Sequence, residues 1–320
     1  ASMLVIVGFV ASELAVLSGI DTGIRAGNFH DLVFYVFIPL LVFESAYKIN
    51  TRLLLVNFVP VITLAVVGML VTASLTALVL YYGIAHPAGF PFIAALLTGA
   101  IVAATDPVAV VARLRETGAP EKLGVLLEGE SLFNDATAIV LFSLFLSMAL
   151  SLDGAVSIPA VVIEFLKIFI GGMVTGLVTG LLAGLIGKLV NDSMMNSILA
   201  LAVAYGAYLL AEEVFEVSGV MSTLAAAMVM SSLLAKDAAG NHAADNDQLW
   251  NVIGHVANAM VFLIMGVTIT IGMFEERWLA MLIAIGAVMV AYVRFCCARS
   301  NAILAEAADA LATSYSYRSW

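Results

Sequence analysis

Residues 92–110 read FIAALLTGAIVAATDPVAV, an apolar run of membrane-spanning length that is interrupted by Thr105-Asp106-Pro107. A helix needs roughly 20 mostly apolar residues to cross the hydrocarbon core of a bilayer. Pro107 donates no backbone N–H and clashes with the carbonyl group of Ala103, and it disfavours helical dihedral angles at Asp106. The sequence therefore predicts a helix that is broken at membrane depth, with a carboxylate at the break.

The composition of the whole chain is that of a membrane protein. Its 320 residues are 63% apolar and 11% charged, whereas soluble domains are about 45–50% apolar and about 25% charged. The net charge of −10 argues against a nucleic-acid-binding protein, which needs a basic face. The adjacent Cys296 and Cys297 do not form a disulfide framework or a metal-ligand set. We expect an all-α polytopic protein without a cofactor.

Polar interruptions divide the chain into ten candidate spans, which we predict as one transmembrane domain over residues 1–298. Residues 299–320 form a C-terminal segment whose structure the sequence does not predict. The spans cover residues 2–20, 31–47, 53–82, 90–113, 121–150, 157–188, 194–212, 217–235, 248–271 and 277–298.

Basic residues in the loops predict the orientation of these spans, because cytoplasmic loops carry an excess of Lys and Arg. One set of alternate loops holds only Arg25 and Arg277. The other set holds nine basic residues: Lys48, Arg52, Arg113, Arg115, Lys122, Lys188, Lys236, Arg299 and Arg318. The first span therefore runs from the cytoplasm outwards, and the span at 121–150 does the same.

Acidic residues inside the predicted spans are the strongest functional signal. An ionisable group inside a bilayer costs at least about 2.5 kcal/mol, so each one is a candidate functional residue. Asp106 lies at the helix break, and Asp135 lies about 21 Å along its helix from the cytoplasmic end, so both are expected at a mid-membrane cavity. The acids within or at the ends of spans are Glu13, Glu44, Asp106, Glu128, Glu130, Asp135 and Glu164.

The residues around Asp135 supply oxygen atoms suited to a small cation. Ser131 and Asp135 are four residues apart and share one helix face, while Glu130 and Asn134 share the neighbouring face. Carboxylates, together with hydroxyl and carbonyl oxygens from Thr105 and Ser131, suit hard cations. A proton and a cation compete for the same carboxylate. The pattern thus favours a cation/proton exchanger that binds a small hard cation at Asp135, Asp106, Thr105 and Ser131.

Arg294 lies near the cytoplasmic end of the tenth span, at a depth that matches Glu130. One interpretation is a structural ion pair between the two side chains. The other is that the arginine extends to the membrane interface, as arginines readily do. The sequence leaves both open.

Four glycines, Gly172, Gly176, Gly180 and Gly184, recur every fourth residue in the sixth span. Such stripes of small residues let two helix backbones approach closely in lipid. We expect a packing face inside the monomer in preference to a dimer seam.

The motifs together resemble the monovalent cation/proton antiporter family one, the branch of the NhaP-type and animal sodium/proton exchangers. The paired signature is TDP at 105–107 followed by GESLFNDA at 129–136. Supporting fragments are FIPLLVFE at 37–44, VSGV at 217–220, FLIMG at 262–266, and Arg294.

The resemblance implies alternating-access exchange of one Na⁺ or Li⁺ for one proton, with Asp135 as the carrier of both. Asp106, Thr105, Ser131 and Glu130 would line or organise the site, and Glu130 with Arg294 resembles the family's ion pair. Asn134 would stand where electrogenic relatives carry a second carboxylate, which implies electroneutral exchange. The family also implies a homodimer in the cell membrane, with a role in pH homeostasis.

The resemblance further implies an inverted-repeat fold of thirteen helices, of which the first and the last two do not correspond to any segment of this sequence. Two alternatives remain at this stage. One is a non-transporting sensor or regulatory protein of the same fold. The other is an intramembrane aspartyl protease. In such proteases the residues that flank the two aspartates differ from the Thr-Asp-Pro and Asn-Asp of this sequence.

Overall fold

The computed structural model describes residues 2–18, 26–83, 91–150, 158–190, 192–234 and 242–269, with the isolated positions 282, 285–286 and 289. The regular elements among these residues are all helical. Three π-helical segments (Val33–Phe37, Thr63–Gly68 and Leu210–Val214) continue helices without a break. The helices are α1 (Ser2–Leu17), α2 (Ala26–Leu32), α3 (Ile38–Lys48), α4 (Thr51–Val56), α5 (Phe58–Ile62), α6 (Met69–Gly83), α7 (Phe92–Ala103), α8 (Val108–Glu116), α9 (Glu121–Leu150), α10 (Ile158–Val190), α11 (Ser193–Leu209), α12 (Gly219–Leu234) and α13 (His242–Thr268).

Nine of the ten predicted spans coincide with helical segments, and the tenth falls almost entirely outside the described residues. Within the described part of the chain, six helical stretches are long and apolar enough to cross a bilayer. Three further apolar helices, Met3–Leu17, Phe92–Ala103 and Gly219–Leu234, are shorter than a full span. Each of these helices ends within two residues of a part of the chain that lies outside the described residues, so the prediction of full-length spans at these three places stays a prediction. Residues 299–320 also lie outside the described residues, so the domain boundary at residue 298 stays a prediction.

The helix break predicted at Thr105–Pro107 is present. Helix α7 ends at Ala103, residues 104–107 are not helical, and α8 begins at Val108. Ala104 has extended dihedral angles, with φ −63° and ψ 134°, which turn the chain away from the helix axis. The Pro107 carbonyl accepts the first hydrogen bond of α8, from Val111 N at 2.8 Å. Proline is well suited to this position because it has no N–H to leave unpaired.

Helix α12 forms the centre of the packed core. All but one of its residues from Gly219 to Met230 are buried, and the helix contacts α3, α10 and α11. A helix that is apolar all round is suited to such a site, because each of its faces meets protein. Two of its hydroxyl groups still find acceptors on α11. Ser222 Oγ donates to Ala207 O at 2.8 Å, and Thr223 Oγ1 donates to Ala204 O at 3.3 Å.

The glycine stripe of α10 packs against α12 within the same chain. A methyl group on Gly176 would overlap the carbonyl oxygen of Ser222, and one on Gly180 would lie 2.5 Å from the carbonyl oxygen of Ala226. Gly172 lies in the same way against the Ser218 carbonyl. The prediction of a packing face inside the monomer is therefore confirmed. Small residues are required here because two backbones, rather than two layers of side chains, are in contact.

A second close crossing joins the two ends of the described chain. Helix α1 packs against α13, where Gly8 lies against the backbone of Leu263 and Gly266 lies against the backbone of Val5. Ser12 Oγ donates to Val267 O at 3.0 Å. At both crossings, glycine thus allows two helix backbones to approach closely.

Replacing Gly176 by alanine is expected to destabilise the protein by about 1–3 kcal/mol, because the new methyl group cannot be accommodated against a backbone carbonyl. Thermal unfolding in detergent measures the loss as a lower Tm. Gly206→Ala is the matched control, since a methyl group there meets nothing within 4 Å, and its Tm should be unchanged or higher. Equal Tm values for Gly176→Ala and the wild type would contradict this account of the α10–α12 crossing.

Candidate functional site

The broken stretch between α7 and α8 is held by two side chains of α9. Ser131 Oγ donates to the Thr105 carbonyl oxygen at 2.7 Å. Asn134 Nδ2 donates to the Thr105 hydroxyl at 3.3 Å. Because Ser131 and Asn134 are three residues apart, they lie on adjacent turns of one helix face. Helix α9 therefore supplies hydrogen bonds that the broken helix no longer provides for itself.

The side chains that make this contact are buried, whereas the two aspartates are not. Ser131 is 7% exposed, and Glu130 and Asn134 are each 3% exposed. Asp106 and Asp135 are both exposed. The two aspartates are thus accessible, whereas Glu130, Ser131 and Asn134 lie in the protein interior.

Two other acidic groups lie near Asp135. The charged groups that act on its carboxylate are those of Asp106 and Glu130. All three side chains are acids, and like charges repel strongly where water is scarce. A cation or a proton bound at Asp135 would relieve this repulsion.

The amide oxygen of Asn134 is also suited to bind a cation. Asn134 Oδ1 is buried and has no hydrogen-bond partner among the described residues. A buried acceptor that is left unpaired costs about 1–3 kcal/mol. The amide nitrogen of the same side chain contacts the Thr105 hydroxyl, so this unpaired oxygen belongs to the group of polar side chains around the broken stretch.

The structure brings together most of the residues that the sequence predicted. Thr105, Ser131 and Asn134 are joined by hydrogen bonds, and Asp106 and Glu130 act on Asp135 through their charges. Pro107 starts the helix after the break. Arg294 lies outside the described residues, so its pairing with Glu130 stays a prediction. In the described part of the chain, no three His, Cys, Asp or Glu side chains are arranged to hold a metal ion.

Glu212 is a polar residue whose position the sequence did not reveal. Its Oε2 accepts a hydrogen bond from Gly219 N at 2.9 Å, which caps the N-terminus of the central helix α12. The cap lies seven residues before the helix start, across a turn in which Glu216 has a φ of 51°. Sequence patterns for helix caps involve the residues directly before the helix. Here they identify only Ser218, whose Oγ accepts a hydrogen bond from Met221 N at 3.2 Å.

Comparison with known proteins places the chain among ion exchangers. Residues 2–298 match the family model described as the transmembrane region of sodium/hydrogen exchangers. The chain is 34% identical over 268 residues to sodium/hydrogen exchanger 7 of Arabidopsis thaliana, covering 82% of this chain and 23% of that one. It is 32% identical over 267 residues to the Na⁺/H⁺ antiporter ApNhaP of Aphanothece halophytica, covering 81% of this chain and 49% of that one. The chain thus spans about a quarter to a half of these relatives.

A solved structure has the same fold. The sodium proton antiporter MjNhaP1 from Methanocaldococcus jannaschii, determined at pH 8, superposes with a TM-score of 0.64 at 18% sequence identity. The match covers 91% of this chain and 76% of that one. At this identity the similarity shows the fold alone. With the apolar helices described above, it identifies the chain as a multi-pass membrane protein.

Ser131→Ala is expected to lower stability by about 1–3 kcal/mol, because the Thr105 carbonyl in the broken stretch loses its donor. Ser147→Ala is the matched control, since Ser147 is exposed on the same helix and should change stability by no more than about 0.5 kcal/mol. Thermal unfolding of both variants in detergent measures the difference. Identical Tm values for the two variants would show that the hydrogen bond does not hold the break.

Proposed function

The chain belongs to the family of transmembrane sodium/hydrogen exchangers, and on that premise we propose that it exchanges Na⁺ for protons across the membrane by alternating access. The observation that carries the proposal is the broken helix, held by Ser131 and Asn134 of α9 beside the exposed carboxylates of Asp106 and Asp135. Interrupted helices at membrane depth form ion sites in transporters, since they leave backbone oxygens free to bind a cation.

Asp135 is the group at which cation and proton compete in this proposal. A carboxylate binds either a proton or a hard monovalent cation, and Na⁺ or Li⁺ prefers the oxygen ligands that Asp106, Thr105 and Ser131 offer nearby. When one species occupies Asp135, the other is excluded. Because the site opens to one side of the membrane at a time, this competition makes the exchange obligatory.

Electroneutral exchange follows from the pair of residues at 134 and 135. Asn134 carries no charge, so Asp135 is the one acid of this pair. One proton carried in one direction and one Na⁺ in the other move no net charge. In this scheme Glu130 serves as the partner of Arg294.

The oligomeric state, the location and the physiological role are proposed from membership of the family. The exchanger works as a homodimer in the cell membrane, where it contributes to pH homeostasis and needs no cofactor beyond the transported ions. The outer loops bear more acidic than basic residues, which draws cations toward the membrane surface. Family membership gives no support to an intramembrane protease, and the transport assay below decides between an exchanger and a non-transporting sensor.

Asp135→Asn is expected to reduce Na⁺-driven proton movement to the level of protein-free vesicles, because the neutral amide cannot take up and release a proton in exchange for a cation. A pH-sensitive dye in vesicles that contain the full-length protein reports the exchange. Asp192→Asn is the matched control. Asp192 caps α11 by accepting from Met195 N at 2.9 Å, and asparagine caps helices equally well.

Two outcomes of this assay would reject part of the proposal. Exchange by Asp135→Asn at the wild-type rate would remove Asp135 from its assigned role. A wild-type protein that moves neither Na⁺ nor Li⁺ against protons at any pH would favour the sensor alternative.

Exchange by the wild-type protein is expected not to respond to membrane potential, because each cycle moves no net charge. A potassium gradient with valinomycin imposes a potential of either sign on the vesicles, and the initial rate of Na⁺-driven proton movement is measured at each sign. Equal rates support one-for-one exchange. Faster exchange at one sign than at the other would exclude it.

A further inference from the structure

Helix α9 makes contacts on two opposite faces. On one face, a methyl group added to Gly129 would overlap Leu54 Cδ1 of α4 and would lie 3.6 Å from Val61 Cγ1 of α5. On the other face, Ser131 Oγ donates to the Thr105 carbonyl oxygen at 2.7 Å. Gly129 and Ser131 are two residues apart, which corresponds to a rotation of about 200° around the helix axis. The contact with α4 and the contact with the broken stretch therefore lie on opposite sides of α9.

The gap between α9 and the broken stretch sets the size of the ion site. Asp135 lies four residues after Ser131, so both side chains project from the same face of α9. The other proposed cation ligands, Asp106 and Thr105, belong to the broken stretch. A displacement of α9 across its axis would therefore change the separation of the two groups of oxygen ligands.

The space at Gly129 is closed on the side of α4 and α5. Leu54 and Val61 are completely buried, and Ile49 is 6% exposed. The Cδ1 atom of Ile49 would lie 3.7 Å from a methyl group on Gly129. Because Leu54 is enclosed by protein, its side chain cannot turn aside into lipid. A side chain at this position of α9 would therefore push against packed atoms.

Helices α4 and α5 are also fixed to α9 at two points, so they cannot easily move away from it. Asn50, which caps α4, donates from Nδ2 to Glu121 Oε1 at the start of α9, at 3.2 Å. Farther along, the ring of Phe58 meets the ring of Phe133 edge-on, with centroids 5.8 Å apart. These contacts lie on either side of Gly129. An added methyl group is expected to displace α9 toward the broken stretch, whose backbone is not helical.

We propose that Gly129 is a positioning residue that determines which alkali cation the site prefers, because it sets the gap between α9 and the broken stretch. The inference rests on the proposed exchange function. Selectivity among hard cations depends on the size of the cavity and on the number of oxygen ligands. A side chain at Gly129 narrows the gap, and a narrower site favours the smaller Li⁺ over Na⁺. The missing side chain thus keeps the site wide enough for Na⁺.

Moving one methyl group from α4 to α9 tests the proposal. Gly129→Ala adds a carbon atom at the contact, and Leu54→Val shortens the opposing side chain by one carbon atom. The double variant conserves the total volume, and core changes of this kind are tolerated best. We expect Gly129→Ala to raise the KM for Na⁺ several-fold relative to the KM for Li⁺. The double variant should restore the wild-type ratio.

The ratio of the two KM values separates positioning from a general loss of stability. Fewer folded molecules lower the maximal rate and leave the ratio unchanged. Gly124→Ala is the matched control on the same helix, since a methyl group there would meet Val111 Cγ1 at 3.9 Å, an ordinary contact distance, and its ratio should equal that of the wild type. Rates are measured in vesicles that contain the full-length protein, and the Tm of each variant in detergent reports folding.

Leu54→Val alone tests the proposal in the opposite direction, and it serves if Gly129→Ala does not fold. The shortened side chain lets α9 settle toward α4 and widens the gap. We expect the KM for Na⁺ to fall relative to the KM for Li⁺. A change of the ratio in the other direction would overturn the argument from the size of the site.

Hydrogen exchange of the broken stretch gives a readout that needs neither transport nor a bound cation. In detergent without Na⁺ or Li⁺, mass spectrometry follows the backbone amides of residues 104–111. We expect several-fold faster exchange in Gly129→Ala than in the wild type or in Gly124→Ala, because the displaced Ser131 no longer holds Thr105 in place and local opening becomes more frequent. The double variant should exchange at the wild-type rate.

Each outcome decides one part of the inference. In a folded Gly129→Ala protein, an unchanged KM ratio would overturn the role in selectivity, and unchanged hydrogen exchange would overturn the displacement of α9. A double variant that keeps the defect of Gly129→Ala would show that the methyl group does not act through Leu54. A wild-type protein that moves neither cation rejects the proposed function together with the selectivity, whereas hydrogen exchange still decides whether Gly129 positions α9.

Discussion

A helix that breaks inside a bilayer must find new partners for its backbone, and this constraint organises the whole site. Water is scarce at membrane depth, so each unpaired backbone group there costs several kcal/mol unless protein or a water-filled cavity satisfies it. Here the Thr105 carbonyl is paired with Ser131 of α9. The same helix carries Asp135 one turn farther along. The contact that stabilises the break therefore also fixes the distance between the break and the carboxylate.

The surrounding frame is built from close helix crossings. The α10–α12 and α1–α13 contacts both depend on glycines that lie against backbone carbonyl groups. Such crossings leave little room for rearrangement, because any added side chain meets backbone. Helix α12 is the centre of this frame, and Glu212 caps its N-terminus. That cap holds a carboxylate at the start of α12 as a consequence of the packing.

Local chemistry explains why the sequence alone predicted so much. The ten spans follow from hydropathy, and the break at Pro107 follows from a missing N–H and a steric clash with the preceding turn. Asp106 and Asp135 stand out because charged residues are rare in such an apolar chain. Each of these features depends on a few neighbouring residues, and nine of the spans and the break are present in the structure.

Contacts between distant segments were decided only by the tertiary structure. The sequence identified Ser131 and Asn134 as site residues, but it could not show that both bind Thr105, which lies 26 and 29 residues earlier in the chain. The sequence identified the glycine stripe of α10, but only the structure showed that α12 packs against it. Glu212 gave no distinct signal, because a capping carboxylate acquires its role from the helix that folds against it. Local bonding and hydropathy determine where helices form and break, whereas pairing, exposure and cavities depend on the close packing of segments far apart in sequence.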